Sequence, residues 1–573
     1  MTSWVAFLGR LVSASPALCC AYALGGEPAG EWCTELSTLD EEALRTLEFE
    51  AGGTADSLKH LDRTRDYVVG ELRIVRQPIF NEGNPEESGV FYRAANRLHV
   101  NTRIWALRQA LLVRSGERAT VDALLEAERT LREKPYLYDV RVIPRRLCGD
   151  VLDIDIVTRD VWTLNPSLDF GRTGGESSFG IGLSDPNAFG TGRGAGIRYN
   201  NDEDRSGVGV YYEDPNLAGT RVRLDLLVEN NDDGSRHFME LEQPFFSLDS
   251  KFAAGIRIDD SKLEQGLFFL SDEFAEFRHE SLFVDLFGGI SAGLVGGRTL
   301  RWLAGYSYED HAFEPIPGET APDPFPEDRT YAYPWIGFEV VENDYEKTMN
   351  VDKINRTEDL FLGARYSVRV GFSDDAFGGD DESRWVLTGS YRNGTRLGDR
   401  HLLLYGVDGR VFWNLDEDEE EDGLLEAYLS YRMTQTPRIS FFASLTGAYA
   451  RNLPEDAQLL AGGEEGLRGY PNRYQVGDRR LVLQLEERYF SDLYLWRVFR
   501  VGAAVFVDVG RAWFPGTSNE EPLGTLFDIG VGLRFESTRT RTDRVLHVDL
   551  AFPLQDGPDI EGQEITLTVK RSL

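Results

Sequence analysis

The residues best placed to do chemistry lie near the C-terminus. Gly462-Gly463-Glu464-Glu465-Gly466-Leu467-Arg468-Gly469-Tyr470 crowds glycine around one arginine and one tyrosine. Glycine admits backbone that other residues cannot adopt. Further on, Phe506-Val507-Asp508-Val509-Gly510 puts Asp508 on the polar side of an alternating segment. A guanidinium and a carboxylate can pair through two parallel hydrogen bonds, so Arg468 and Asp508 are candidate partners. Gln484, Glu486 and Arg488 share the polar face of residues 480–490. Such groups hold a loop in place by charge; they make and break no covalent bonds.

Other patterns promise less. Gly289-Ile290-Ser291-Ala292-Gly293 matches the Gly-x-Ser-x-Gly of serine hydrolases. That motif needs a strand–turn–helix elbow, and its flanks here alternate like strands. The acidic run from Asp416 to Asp422 has the ligand type for Ca²⁺ or Mg²⁺ but no EF-hand spacing, and reads as a solvated loop. There is no Cys-x-x-Cys, and the 7 His are scattered. No metal, no cofactor and no enzymatic activity are expected.

The elements around the arginine form a long, uniform region. From residue 161 to 573 there is no helical period. Segments of roughly ten alternating residues are separated by Gly, Asn, Asp and Pro turns, the pattern of a transmembrane β-barrel. In Phe527 to Glu536, one face is Phe527, Ile529, Val531, Leu533 and Phe535; the other is Asp528, Gly530, Gly532, Arg534 and Glu536. A charged second face suits a wet lumen, and closure leaves no unpaired edge in lipid. About twenty such segments can be counted, with tight turns expected at one mouth and long acidic loops at the other. Residues 453–480 form the loop that carries the arginine. The turn Asp185-Pro186-Asn187-Ala188-Phe189-Gly190-Thr191-Gly192 recurs as Asp214-Pro215-Asn216-Leu217-Ala218-Gly219-Thr220, and turn chemistry alone explains both.

Residues 67–160 differ. A strand over 67–75 precedes helical spacing over 102–113 and 120–134, with Thr120 as N-cap. Strands over 136–142 and 151–158 follow, joined by 144–150. The order β-α-α-β-β is that of a small α+β domain. Residues 24–66 read as an acidic linker with a short helix near Leu39. Residues 1–23 read as a cleaved secretory signal, against a buried N-terminal helix or a misplaced start codon. Cleavage would remove Cys19 and Cys20 and leave Cys33 and Cys148, whose pairing stays open. With 61 Lys+Arg against 96 Asp+Glu, the net charge is −35, which excludes nucleic acid as a partner.

Gly-Gly-x-x-x-Leu-Arg-Gly-Tyr, then Glu486-x-Arg488, then Phe506-x-Asp508-x-Gly510, resembles the outer membrane protein 85 superfamily, the bacterial surface antigen proteins. These include the Bam and Tam assembly barrels and the two-partner secretion transporters. Residues 67–160 resemble one POTRA domain, and the Asp185 turn resembles an early periplasmic turn of those barrels. The resemblance implies sixteen strands, against about twenty by direct count. It implies that the motif loop enters the lumen, with Arg468 touching the Asp508 strand. It implies an outer-membrane location in a diderm bacterium, with the N-terminal domain in the periplasm. The function implied is protein insertion or translocation. The partners would be outer-membrane lipids, unfolded outer-membrane or secreted clients, and periplasmic or inner-membrane proteins. Clients would add to the domain edge at 136–142, and the seam between 163–172 and 564–570 would open laterally. The rival reading is a passive, cation-favouring pore or a structural barrel.

Overall fold

The computed structural model describes residues 33–49, 57–516, 524–540 and 545–570. The expected signal segment, with Cys19 and Cys20, lies outside the described residues. The N-terminal domain is a five-stranded sheet with helices. Its strands are β1 (Cys33–Glu35), β2 (Tyr67–Gln77), β3 (Arg118–Ala119), β4 (Leu137–Cys148) and β5 (Val151–Asp160). Their order across the sheet is β1-β4-β5-β2-β3. The parallel pairing of β2 with β5 requires a crossover, and the intervening helices supply it.

Helix α1 spans Glu41–Arg45, α2 Val90–Leu98, α3 Ile104–Ala110 and α4 Val121–Arg132. The Thr120 side chain caps α4 by accepting from the Ala123 N–H. Val121, Leu124, Ala127 and Leu131 then recur on one face and bury fully against Val140 and Val142 of β4. The domain thus has three helices after β2 where the sequence reading had two. In α2 the residues Val90, Ala94 and Leu98 recur at helical spacing but, with Phe91, face away from the core. Strand β4 also continues through Pro144, with a register irregularity there, to Cys148. The segment 144–150 is therefore mostly strand. Part of the stretch read as linker joins the domain. Strand β1 pairs with the end of β4, and Cys33 is disulfide-bonded to Cys148. Leu44 and Phe49 bury against Val75, Tyr138 and Val157.

The rest is a closed antiparallel barrel of 20 strands, from Asn165–Thr173 to Glu564–Lys570. The count corrects sixteen and agrees with the tally of alternating segments. Alternation becomes an inside and an outside. Ile529, Val531 and Leu533 are 44–49 % exposed on the outer wall, while Asp528 and Arg534 are at most 2 % exposed within. The outer wall carries Ile181, Ile197, Leu286, Ile290, Trp302 and Ile336, all exposed, as lipid contact requires.

Two insertions fold inward. From the mouth opposite the domain comes the motif loop, tied by a ladder between Leu459–Ala461 and Gln475–Gly477. From the domain-side mouth comes a hairpin of Tyr345–Met349 and Thr357–Phe361. Its tip residue Ile354 packs on Phe490 and Val545, and the Ile354 N–H donates to Glu536 of the inner wall. Only tight turns were expected at that mouth, so this hairpin departs from the sequence reading.

The domain sits on the same mouth. Asn187 Nδ2 donates to Thr102 Oγ1 at 2.8 Å, and the Arg103 N–H donates to the Gly190 carbonyl at 2.8 Å. Arg221 donates to the carbonyls of Gln109 and Leu111 at 2.8 and 2.6 Å. The two copies of the repeated turn are thus docking points. Arg539 Nη2 meets Glu87 at 2.6 Å across the mouth. The hairpin joins the interface through Lys347–Glu128 at 2.5 Å, through Arg132–Asp359, and through Arg129 over the Tyr345 ring at 3.4 Å.

Candidate functional site

The motif loop lies inside the barrel, against the inner faces of the last strands. Arg468 Nε is 2.7 Å from Asp508 Oδ2, and Nη2 is 2.8 Å from Oδ1. Nη1 is 2.7 Å from Glu486 Oε1 and 3.4 Å from Asp549 Oδ2. Arg488 Nε holds the other Glu486 oxygen at 2.7 Å. The guanidinium is 3 % exposed and Asp508 is 0 % exposed. A buried guanidinium of this kind is tolerable only because each edge meets a carboxylate and its face meets a ring. That ring is Phe506, whose centroid lies 3.4 Å from the Arg468 guanidinium carbon.

The neighbours of Arg468 fix the loop. Leu467 and Tyr470 are fully buried with Tyr474, Val482, Ala512 and Leu526. Tyr470 donates its hydroxyl proton to the Phe527 carbonyl at 2.7 Å. The Gly469 N–H donates to Asp528 at 3.2 Å, and a Cβ at 469 would lie 2.7 Å from Asp528 Cβ and 3.1 Å from the Pro553 nitrogen. Gly462, Gly463 and Gly510 also sit in close quarters, the last against Leu467.

Sequence reasoning missed Asp528, Asp549, Arg534 and Gly530. Arg534 pairs with Asp549 and lies 3.6 Å from Glu486. Register brings these groups together: Asp508 is opposite Asp528, and Asp549 is opposite Gly532. Each lies on the polar face of its segment, which was legible; the register that stacks them was not. The decoy Ser291 donates to the Leu300 carbonyl at 2.8 Å near a strand end, with no helix following. Three of the seven acidic residues of the run pair with arginines, Glu421 with Arg384, Asp422 with Arg410 and Glu420 with Arg451, and the run is strand from Glu419 onward rather than wholly a loop. Among the described residues no cluster fit to hold a metal is found.

Beside the loop runs the join between first and last strands. Among the described residues Leu567↔Arg172 is the only backbone ladder pair across it, and Glu564 adds side-chain contacts to the Gly175 N–H at 2.9 Å and to Arg172 at 3.4 Å. By contrast, the last strand pairs with its other neighbour over all of 564–570, and the first strand pairs with its next over all of 165–173. The motif loop touches both sides of this join. Thr566 of the last strand donates to the Arg468 carbonyl at 3.5 Å, and Asn472 packs so closely on Gly174 that a Cβ there would meet the Asn472 nitrogen at 2.2 Å.

The edge of β4 offered above for client strands is covered. The Val140 carbonyl accepts from Arg132 at 2.8 Å, and the Val142 N–H donates to Glu128 at 2.9 Å. The Tyr138 carbonyl accepts from Arg356 of the hairpin at 2.9 Å. Strand β1 takes the far end of the same edge.

No family model matches the chain, and no curated protein matches it. Solved structures do. CdiB from Acinetobacter baumannii aligns with TM-score 0.41 and 12 % identity, over 88 % of this chain and 73 % of that one. BamA from Haemophilus ducreyi, lacking POTRA domains 1-3, aligns with TM-score 0.37 and 13 % identity, over 88 % and 84 %. CdiB from Escherichia coli aligns with TM-score 0.34 and 11 % identity, over 92 % and 94 %.

Proposed function

We propose that this chain is an outer-membrane protein assembly or translocation factor that acts without covalent chemistry. The observation that carries the reading is the weakly paired seam, bridged from inside by the loop that Arg468 anchors. A closed barrel has no edge to offer; one poorly zipped join supplies an edge on demand. Opening it would expose the Glu564–Lys570 strand as a template for a client strand. The N-terminal domain would then face the periplasm and present clients to the mouth. Client addition at the β4 edge requires the Arg132, Glu128 and Arg356 contacts to let go first. The motif residues Gly462, Gly463, Leu467, Arg468, Gly469 and Tyr470, with Phe506, Asp508, Gly510, Glu486 and Arg488, would set how firmly the loop is held.

A passive pore fits less well. The lumen holds the motif loop from one side and the hairpin from the other, with the domain across the mouth. The test is to reconstitute the protein in liposomes and time the folding of an unrelated outer-membrane barrel. Acceleration over empty liposomes, altered by Arg468→Ala, supports the reading. No acceleration together with a steady cation conductance overturns it in favour of the pore.

A further inference from the structure

Helix α2 is amphipathic the wrong way round for a core helix. Val90, Ala94 and Leu98 recur every four residues, with Phe91 beside them, and this stripe points away from the protein. Val90 is 76 %, Phe91 71 % and Leu98 74 % exposed, and none of the nine residues of α2 is buried. What anchors the helix is its other side: Asn96 exchanges hydrogen bonds with the Phe80 backbone at 2.9 and 3.1 Å. The exposed stripe continues past the helix in Val100, Ile104 and Trp105.

Position and charge say what the stripe meets. Tyr92 donates to the carbonyl of Trp496 at 3.2 Å, and Arg103 donates to the carbonyl of Phe189 at 3.1 Å. Those two residues sit in barrel turns on either side of the seam, and both are exposed, at 72 % and 76 %. The stretch from α2 to the start of α3 therefore runs along the barrel rim between these two turns, level with the strand ends. Aromatic side chains at that level mark a membrane–water boundary. Between Glu87 and Glu117 the chain has Arg93, Arg97, Arg103, Arg108 and Arg114 and no acidic residue, in a protein of net charge −35. All five arginines are exposed.

We infer that α2 and the start of α3 lie in the face of the bilayer next to the domain, with the apolar stripe among acyl chains and the arginines on anionic phospholipid headgroups. A basic amphipathic helix binds such an interface by both terms together. The helix thereby ties the domain to the membrane at the one place where the barrel wall is weakest. A protein partner would satisfy the apolar stripe but gives no reason for the aromatic level or for the local excess of arginine.

The test uses the full chain with Leu98→Cys carrying an NBD dye, and Lys59→Cys, an exposed site elsewhere in the domain, as control. Both are reconstituted in phosphatidylcholine vesicles with and without phosphatidylglycerol, with a shallow doxyl lipid as quencher. The expected result is a blue shift and loss of emission at 98 but not at 59, deeper with phosphatidylglycerol and reduced by Arg93→Glu with Arg97→Glu. Emission at 98 that matches 59 in both vesicles overturns the inference. Quenching equal in the two vesicles overturns the role of the anionic headgroup. Shielding at 98 that appears only when a soluble periplasmic extract is added overturns it in favour of a protein partner. Because Leu98 touches no core, failure to fold does not confuse the readout.

Discussion

The Phe506 ring lies 3.4 Å beneath the Arg468 guanidinium carbon, while Asp508, two residues along the same strand, grips the guanidinium edge at 2.7 and 2.8 Å. One strand therefore presents both a π face and a carboxylate to a single cation. The arrangement depends on a neighbour, since a Cβ on Gly530 would lie 2.3 Å from Phe506 Cζ.

Removing one partner should expose this dependence. Arg468→Ala leaves Asp508 buried without its cation, while Arg488 still holds Glu486, and should lower unfolding stability by about 3–5 kcal/mol, read from the denaturant midpoint of the barrel. Exchanging the charges, Arg468→Asp with Asp508→Arg, should recover part of the loss. No recovery at all would mean that the pair is not the source of the effect.

Filling the space under the ring should cost about 1–3 kcal/mol through overpacking. Gly530→Val is the direct trial. Phe506→Ala in the same chain should relieve much of that cost, so the two changes should be strongly non-additive in a double-mutant cycle. Additive losses would place the strain of Gly530→Val elsewhere.

Locking the seam should stop client folding if the seam is the working edge. Cysteines at Arg172 and Leu567, directly opposite in register, should cross-link on oxidation and abolish the acceleration. A link at Leu550 and Ile565, on the other side of the last strand, should leave it intact. Reductant should restore the first variant, with the wild type in the same reductant as control for Cys33–Cys148. Equal activity of the oxidised and reduced seam variant would exclude lateral opening.

Docking of the domain should depend on pH through Glu126. Burial raises its carboxyl above the ordinary 4.5, while the Leu248 N–H and Arg129 act the other way. The docked state therefore binds the proton more tightly than the free state. Its contribution to docking is full below pH 4.5 and is lost as pH rises through the raised value. Spin labels at Lys59 and Thr436 should report more of the docked distance at about pH 5 than at about pH 8, on the two sides of the raised carboxyl. Glu126→Gln should flatten that difference while keeping an acceptor for Leu248.

Much of this protein is legible one residue at a time. Alternation in segments such as Phe527 to Glu536 reports which side chains face lipid and which face the lumen, because the strand period is local. The glycine-rich loop, Arg468 and Asp508 stand out by residue type. The N-cap at Thr120 and the core face of α4 follow from spacing alone. Three things required the tertiary structure. Register between strands decides that Asp528, Asp549 and Arg534 gather round the same arginine, and register is a property of pairs of strands far apart in sequence. The hairpin of Tyr345–Met349 and Thr357–Phe361 turns into the lumen instead of joining the wall, which only the closed barrel shows. Helix α2 carries helical spacing in Val90, Ala94 and Leu98, but periodicity marks an apolar face without saying what covers it. Only the folded chain shows that this face is turned outward, at the rim of the barrel.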